Sequence, residues 1–85
     1  MENSEKIREI KNLLKNMGIT SKDVSIKKQS KFAISVGFKN PLLSTSQKDE
    51  IYRIANSYRS TDIENTTYVF VRDENTKTNY CPKSL

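Results

Sequence analysis

Hydrophobic residues near the start of the chain recur at helical spacing. Over residues 4–17 they share one face: Ile7, Ile10, Leu14 and Met17, with Leu13 beside them. Gly18 follows at once, where a left-handed C-terminal cap favours glycine. The pattern predicts a first helix over residues 4–17, with Asn3 or Ser4 as its N-terminal cap.

A second amphipathic stretch begins after Asn40-Pro41. Ser44 and Gln47 have the spacing of a capping box, in which each side chain bonds the other residue's backbone N–H. The apolar stripe that follows is Ile51, Ile54, Ala55 and Tyr58. We therefore predict a second helix from Ser44 to about Tyr58.

The region between the two helices alternates in the manner of β-strands. Residues 24–28 predict a short strand, Gln29-Ser30 a turn, and residues 31–38 a longer strand. In the longer strand one face carries Phe32, Ile34, Val36 and Phe38, and the other carries Ala33, Ser35 and Gly37. The two strands are expected to form an antiparallel hairpin.

A polar loop over residues 60–66 leads into a predicted third strand, Thr67 to Arg72, and residues 78–80 predict a short fourth strand. Alternation leaves two orientations for the third strand, with Tyr68 and Phe70 or Val69 and Val71 facing the helices. β-Branched residues suit a thin core, which favours inward valines. The order α-β-β-α-β(-β) predicts an α+β fold with both helices on one face of a small mixed sheet.

This order of elements resembles one of the small domains known as large-polyvalent-protein-associated domains. The segments that carry the resemblance are residues 24–27, 33–36, 40–41, 49–55 and 67–71. Such domains occur in phages, plasmids and integrative elements. The resemblance implies an accessory protein of a mobile element, used in DNA processing or in evading host defences. It transfers no functional residue, because the family pattern is one of strands and helices.

Composition limits the possibilities further. A length of 85 residues, 34% of them hydrophobic, predicts one domain with an ordered core over about residues 4–80 and a frayed C-terminal tail. Cys81 is the only cysteine, and no stretch approaches the roughly 20 apolar residues of a membrane span. We expect a cytoplasmic protein.

The residues needed for common enzyme chemistry are scarce. The chain has no histidine, one cysteine and only two glycines, Gly18 and Gly37. A zinc site needs three or four ligands, and a phosphate-binding loop needs a run of glycines. Asp62 and Glu64 lie in a predicted loop and Asp73 and Glu74 in a predicted turn, where acidic residues are usually solvated. Asp49 and Glu50 lie near the start of the second predicted helix, where the helix dipole accounts for them. We therefore predict a protein that is not an enzyme and binds neither metal nor cofactor.

Positive charge is concentrated in one half of the sequence. The net charge is +5, with nine basic and four acidic residues up to Leu43 and six of each thereafter. Six lysines are the predicted contacts with nucleic acid or an acidic partner: Lys15, Lys22, Lys27, Lys28, Lys31 and Lys39. Lysines near a hairpin tip can contact successive phosphates, although lysine also commonly protects exposed strand edges.

Two functional hypotheses remain open. The first is a non-catalytic accessory protein of a phage or other mobile element that binds nucleic-acid backbone through the basic hairpin. Its phosphate contacts would be Lys27, Lys28 and Lys31, and Lys15, Lys22 and Lys39 would extend the patch. The second is a small anti-defence inhibitor that docks on a host defence complex such as a CRISPR or restriction nuclease. Its partner face, which would also suit a homodimer, would include Ala33, Ser35, Gly37, Tyr68 and Phe70.

Overall fold

The computed structural model describes residues 3–62 and 66–82. Its elements, in chain order, are α1 (Asn3–Asn16), β1 (Val24–Ser30), β2 (Ala33–Phe38), α2 (Thr45–Asn56), β3 (Tyr68–Asp73) and β4 (Thr78–Asn79). The predicted α+β order is confirmed, including the fourth strand. Residues 63–65 of the predicted polar loop and residues 83–85 of the predicted frayed tail lie outside the described residues.

The four strands form one mixed sheet in the order β1-β2-β3-β4. β1 pairs antiparallel with β2, β2 parallel with β3, and β3 antiparallel with β4. The parallel pair requires a crossover, which α2 supplies. Both helices pack on one face, where the core includes Ile10 and Leu14 of α1 and Ile51 and Ala55 of α2.

Gly18 ends α1 as predicted, because its φ of 80° continues the chain in the left-handed region. Ile19 N–H donates to Leu14 O at 2.9 Å and Gly18 N–H to Lys15 O at 3.0 Å, which are the two bonds of a Schellman cap. At its other end, the capping prediction is wrong: Asn3 and Ser4 both lie inside the helix.

The buried stripe of α1 is more polar than predicted. It consists of Asn3, Lys6, Ile10 and Leu14, whereas Leu13 and Met17 are about 40% exposed. Lys6 Nζ donates to Thr67 Oγ1 at 2.7 Å and to Tyr58 O at 3.4 Å. Thr67 Oγ1 donates in turn to Asn3 Oδ1. This polar network ties the first turn of α1 to the start of β3.

The second helix begins as predicted. Ser44 Oγ accepts a bond from Gln47 N–H at 3.1 Å, and Gln47 Oε1 accepts one from Ser44 N–H at 2.9 Å. α2 ends at Asn56, two residues before the predicted end. Its final turn tightens, with Tyr58 N–H donating to Ala55 O, three residues earlier.

The hairpin turn lies two residues later than predicted. Gln29 and Ser30 belong to β1, and the register shifts between Lys28 and Ser30, so the extra residue forms a bulge. Ser30 pairs with Ala33, which leaves Lys31 and Phe32 as the turn. Phe32 is consequently 51% exposed instead of continuing the buried face of β2.

The two faces of β2 differ less than the alternation predicted, because Ala33 and Gly37, on the face opposite the helices, are buried as well. Ile34, Val36 and Phe38 have no exposed surface and pack against the helices. On β3 the valines face inward, with Val71 buried and Val69 half-buried, so the favoured orientation is confirmed. Tyr68 and Phe70 face outward. The face opposite the helices is called the open face below.

Candidate nucleic-acid interface

The prediction places Lys27, Lys28 and Lys31 near the hairpin tip, with Lys15, Lys22 and Lys39 extending the patch. Lys31 lies in the turn, and Lys22 and Lys39 lie at the other end of the hairpin. β1 has seven residues and therefore spans about 20 Å between these ends. Lys27 and Lys28 are neighbours on β1, so their side chains leave opposite faces of the sheet. That Lys27, Lys28 and Lys31 contact one ligand together stays a prediction.

A different set of lysines does converge. An open cleft of about 590 Å³ lies between α1 and the β1 edge of the sheet. Its lining comprises Lys11, Asn12, Leu14, Lys15, Ile19, Thr20, Ser21, Val24, Ser25, Ile26, Lys27 and Lys39. We call it the lysine cleft, after Lys11, Lys15, Lys27 and Lys39. Three of the six predicted lysines belong to it.

Each lysine of the cleft is positioned by a different feature of the fold. Lys11 and Lys15 are four residues apart on α1, so they lie on one side of the helix. Lys27 lies on β1, which is the outer strand of the sheet. Lys39 follows β2, and its N–H donates to Asp23 O at 2.8 Å, which holds it at the end of the hairpin.

The floor of the cleft is apolar. Leu14, Ile19, Val24 and Ile26 line it, and each of these residues is at least 90% buried. Lysine stems can lie along such a surface while the ammonium groups remain in water. The cleft therefore combines a hydrophobic base with a mobile positive rim.

Among the residues that the structure describes, no carboxylate lines the cleft. The adjoining loop holds Asp23, whose carboxylate accepts bonds from Asn40 Nδ2 at 2.9 Å and Thr20 N–H at 3.1 Å. The bond from Asn40, followed by that from Thr20, lowers the pKa of Asp23. The Asp23 carboxylate is thus engaged within the loop, and none of the four lysines forms an ion pair with a described carboxylate.

The edge of β1 adds backbone groups to the site. The bond from Lys39 N–H to Asp23 O fixes the alternation of the antiparallel pair, so Ser25 and Lys27 bond to β2. The N–H and C=O groups of Ile26 and Lys28 then point away from the sheet. Along this edge a ligand meets both lysine side chains and main-chain donors.

The open face presents two aromatic rings. Tyr68 is 47% exposed beside Ala33, and Phe70 is 50% exposed beside Ser35. Lys27 of β1 pairs with Ser35 of β2, on the side of Ser35 opposite Phe70. Gly37, which was predicted to share this partner face, is instead covered: an added Cβ would lie 2.6 Å from Glu74 Oε1. Ala33 is covered as well, with 7% of its surface exposed, so the accessible part of the predicted partner face consists of the two rings and the half-buried Ser35.

Sequence reasoning missed Lys11, which lines the cleft one turn before Lys15. The signal was present, since two lysines four residues apart mark one side of a helix. Lys6 was not singled out from the sequence, yet it is 7% exposed and part of the polar network. Its spacing from Ile10 and Leu14 is that of the buried stripe.

The other edge of the sheet is occupied by packing interactions. Tyr80 follows β4, its ring meets Phe38 edge-on at 5.0 Å, and its hydroxyl donates to Asp49 of α2. Burial, assisted by this bond and the Asp49 charge, raises the pKa of Tyr80 to about 12. Cys81, next along the chain, is an exposed free thiol.

Features of other protein classes were also sought. Within residues 3–62 and 66–82, no three or more cysteine and carboxylate side chains are grouped so as to hold a metal ion. Neither α1, with 14 residues, nor α2, with 12, is long and apolar enough to cross a bilayer.

Comparison with known proteins gives no match to this chain among family models, curated proteins or solved structures. The geometry of the cleft and of the open face is therefore what supports the functional proposal.

Proposed function

We propose that the protein is a non-catalytic accessory protein that binds the phosphate backbone of nucleic acid in the lysine cleft. The observation that carries the proposal is the convergence of Lys11, Lys15, Lys27 and Lys39, from three separate segments, on a cleft without a carboxylate. Such a grouping costs repulsion in the free protein. A polyanion relieves that repulsion and releases its own counterions.

The residue type favours phosphate over base recognition. Lysine is a compact point charge, whereas reading a base edge usually relies on the fork of arginine or on an amide. Contacts made only to phosphates position a protein on nucleic acid without selecting a sequence. An origin in a phage or other mobile element is supported by the resemblance in strand and helix order described above.

A salt titration tests the proposal. Binding to a labelled oligonucleotide should weaken steeply as salt rises, with a log–log slope of about −0.7 to −0.9 for each phosphate contact. Four lysines predict a slope of about −3 to −4. A complex whose affinity is independent of salt would contradict phosphate-led binding.

Matched pairs of substitutions locate the site. The cleft pair Lys15→Gln with Lys27→Gln should lower affinity and reduce the magnitude of the slope by about 2. The control pair Arg59→Gln with Lys77→Gln removes the same charge from two exposed positions elsewhere and should have a much smaller effect. The pair Lys28→Gln with Lys31→Gln tests the hairpin tip. A larger loss from that pair than from the cleft pair would move the site back to the tip.

A second candidate is docking on an acidic surface of a host defence protein. The outward backbone groups of Ile26 and Lys28 favour it, because an edge strand can be extended by a strand of a partner. A stoichiometric complex with a purified nuclease complex, retained after nucleic acid is digested, would support this role. Loss of the complex on digestion would leave nucleic acid as the ligand.

A further inference from the structure

The open face carries exposed aromatic rings that the lysine cleft does not use. Tyr68 and Phe70 are two residues apart on β3, so they project from the same face about 7 Å from each other. Their neighbours on β2 are the small residues Ala33, which is 7% exposed, and Ser35, which is half-buried. Each ring is about half exposed, which is unusual for two adjacent large apolar side chains.

Positive charge flanks the rings on two sides. Lys27 lies in the same cross-strand row as Ser35 and Phe70, two strand spacings or about 10 Å from Phe70. Arg72 follows Phe70 on the same face of β3. Lys27 also lines the lysine cleft, so the cleft and the open face meet at this residue.

The next cross-strand row, which contains Gly37 and Arg72, carries a carboxylate over Gly37 and therefore disfavours an anion there. The Glu74 side chain covers Gly37, which pairs with Arg72. A phosphate chain that leaves the cleft over Lys27 is therefore directed toward Phe70 and Tyr68 and away from the Glu74 end of the sheet. The arrangement selects one path across the face.

The dimensions of the face favour a thin ligand. Three full strands of about six residues cover roughly 15 by 20 Å, or about 300 Å². A stable protein interface buries about 800 Å² on each partner. The rings and their flanking cations are instead the two components by which proteins hold single strands, namely base stacking and backbone attraction.

From these observations we propose that the ligand is single-stranded nucleic acid, whose bases stack on Tyr68 and Phe70 while its backbone passes over Lys27 into the lysine cleft. The inference rests on the proposed function and adds the class of ligand to it. A duplex can occupy the cleft, but its bases remain paired and cannot reach the rings.

The decisive probe is an abasic strand. A thymine oligonucleotide and an abasic oligonucleotide of equal length offer the same phosphates, and only the first can stack. We expect the thymine strand to bind at least about tenfold more tightly, since stacking on one aromatic side chain contributes about five- to a hundredfold. The same sequence as DNA and as RNA should show this preference in at least one form.

Substitution of the rings should remove the preference. In Tyr68→Ala with Phe70→Ala, affinity for the thymine strand should fall to that for the abasic strand, while affinity for a duplex and the salt slope stay unchanged. The pair Leu13→Ala with Met17→Ala serves as control, because these side chains are similarly exposed but belong to α1 and the residue just after it, and α1 packs on the other face of the sheet. Thermal melting and circular dichroism verify that each variant is folded.

A fluorescent reporter gives an independent readout. The chain has no tryptophan, so Phe70→Trp introduces a single indole. The thymine strand should quench its emission, and the abasic strand should not. Leu42→Trp, at an 86% exposed loop position, should show no quenching with either strand.

The outcomes separate the two proposals. Equal affinity for thymine and abasic strands, with the cleft pair still impaired, would overturn stacking and leave phosphate binding intact. No binding to any strand at low salt would overturn both. If the ring variants convert a dimer into a monomer in sedimentation without changing strand affinity, the open face is a self-association surface and the stacking proposal is wrong.

Discussion

Charged side chains are paired differently in the two halves of the molecule. From residue 44 onward two cations pair with carboxylates: Lys48 with Asp73 at 3.2 Å, and Arg53 with Glu50. Across the part of the chain that the structure describes, these are the ion pairs, and both lie in that half. In residues 3–43 four lysines converge without a carboxylate, and Lys6 bonds to neutral oxygens.

This difference separates charge that stabilises the fold from charge that is available to a ligand. In the second half, Lys48 and Asp73 help to fasten α2 to the end of β3. In the first half, α1 is held on β1 and β2 by apolar packing. We therefore expect the lysines of the cleft to contribute little to stability. Substitutions of the paired charges in the second half should therefore mainly lower stability, and substitutions of the cleft lysines should mainly lower affinity for the ligand.

The largest effect on stability should come from the polar network. Thr67→Val removes the nearest acceptor of a buried ammonium group and should lower the free energy of unfolding by about 2–3 kcal/mol, measured by urea denaturation. Lys6→Met replaces the buried cation by an apolar side chain of similar length and should be about neutral. Adding Lys6→Met to Thr67→Val should recover most of the loss. Failure to recover it would show that the buried charge is not its source.

An intermediate effect is expected at Asp73. Burial raises the pKa of this carboxyl, but bonds from Asn75 N–H and Lys48 outweigh it, and the net pKa is lowered. The stabilising contribution is therefore complete above the unfolded value near 4 and is lost as pH falls through the folded value. Asp73→Asn should cost about 1–2 kcal/mol at neutral pH and show a weaker decline on acidification.

The exposed pair provides the control for Asp73. Glu50→Gln breaks the ion pair with Arg53 on the surface of α2, where such pairs contribute about 0–1 kcal/mol. Urea denaturation of both variants between pH 7 and pH 3 makes the comparison. An equal cost for the two would mean that the contact between Lys48 and Asp73 does not fasten β3.

The smallest effect on stability should come from the lysine cleft. For Lys15→Gln and Lys27→Gln the free energy of unfolding should in each case lie within about 0.5 kcal/mol of the wild-type value. Neither substitution breaks an ion pair with a carboxylate of the cleft lining, and each slightly relieves the repulsion between lysines. The same substitutions should produce the clearest loss of strand affinity. A stability loss above about 1 kcal/mol from either one would assign that lysine a structural role.

Local features of the fold were predictable from sequence. The Ser44 capping box, the Gly18 cap and the alternation of Ile34, Val36 and Phe38 each depend on residues close together in the chain. The turn was misplaced because a bulge after Lys28 shifts the register, and neither strand alone specifies a bulge.

The candidate site was predictable only in part. Charge asymmetry pointed to the half of the chain that forms the cleft, and three of the four lysines that line it are among the predicted contacts. Their grouping depends on how α1 lies along the outer strand, so Lys11 and Lys15 meet Lys27 only in the folded chain. The outward direction of Tyr68 and Phe70 could be predicted, because burial of the β-branched valines leaves the aromatic residues on the opposite face. The covering of Gly37 by Glu74 could not, because it joins residues far apart in the chain.

The strand order has a practical consequence for spectroscopy. Cys81 is the only thiol, it is exposed, and it follows β4, the edge strand that lies three inter-strand spacings or about 14 Å from β1. A maleimide dye or spin label therefore attaches at one position in the natural sequence, on the side of the sheet away from the lysine cleft. The molecule already contains the attachment point from which distances to a labelled oligonucleotide can be measured.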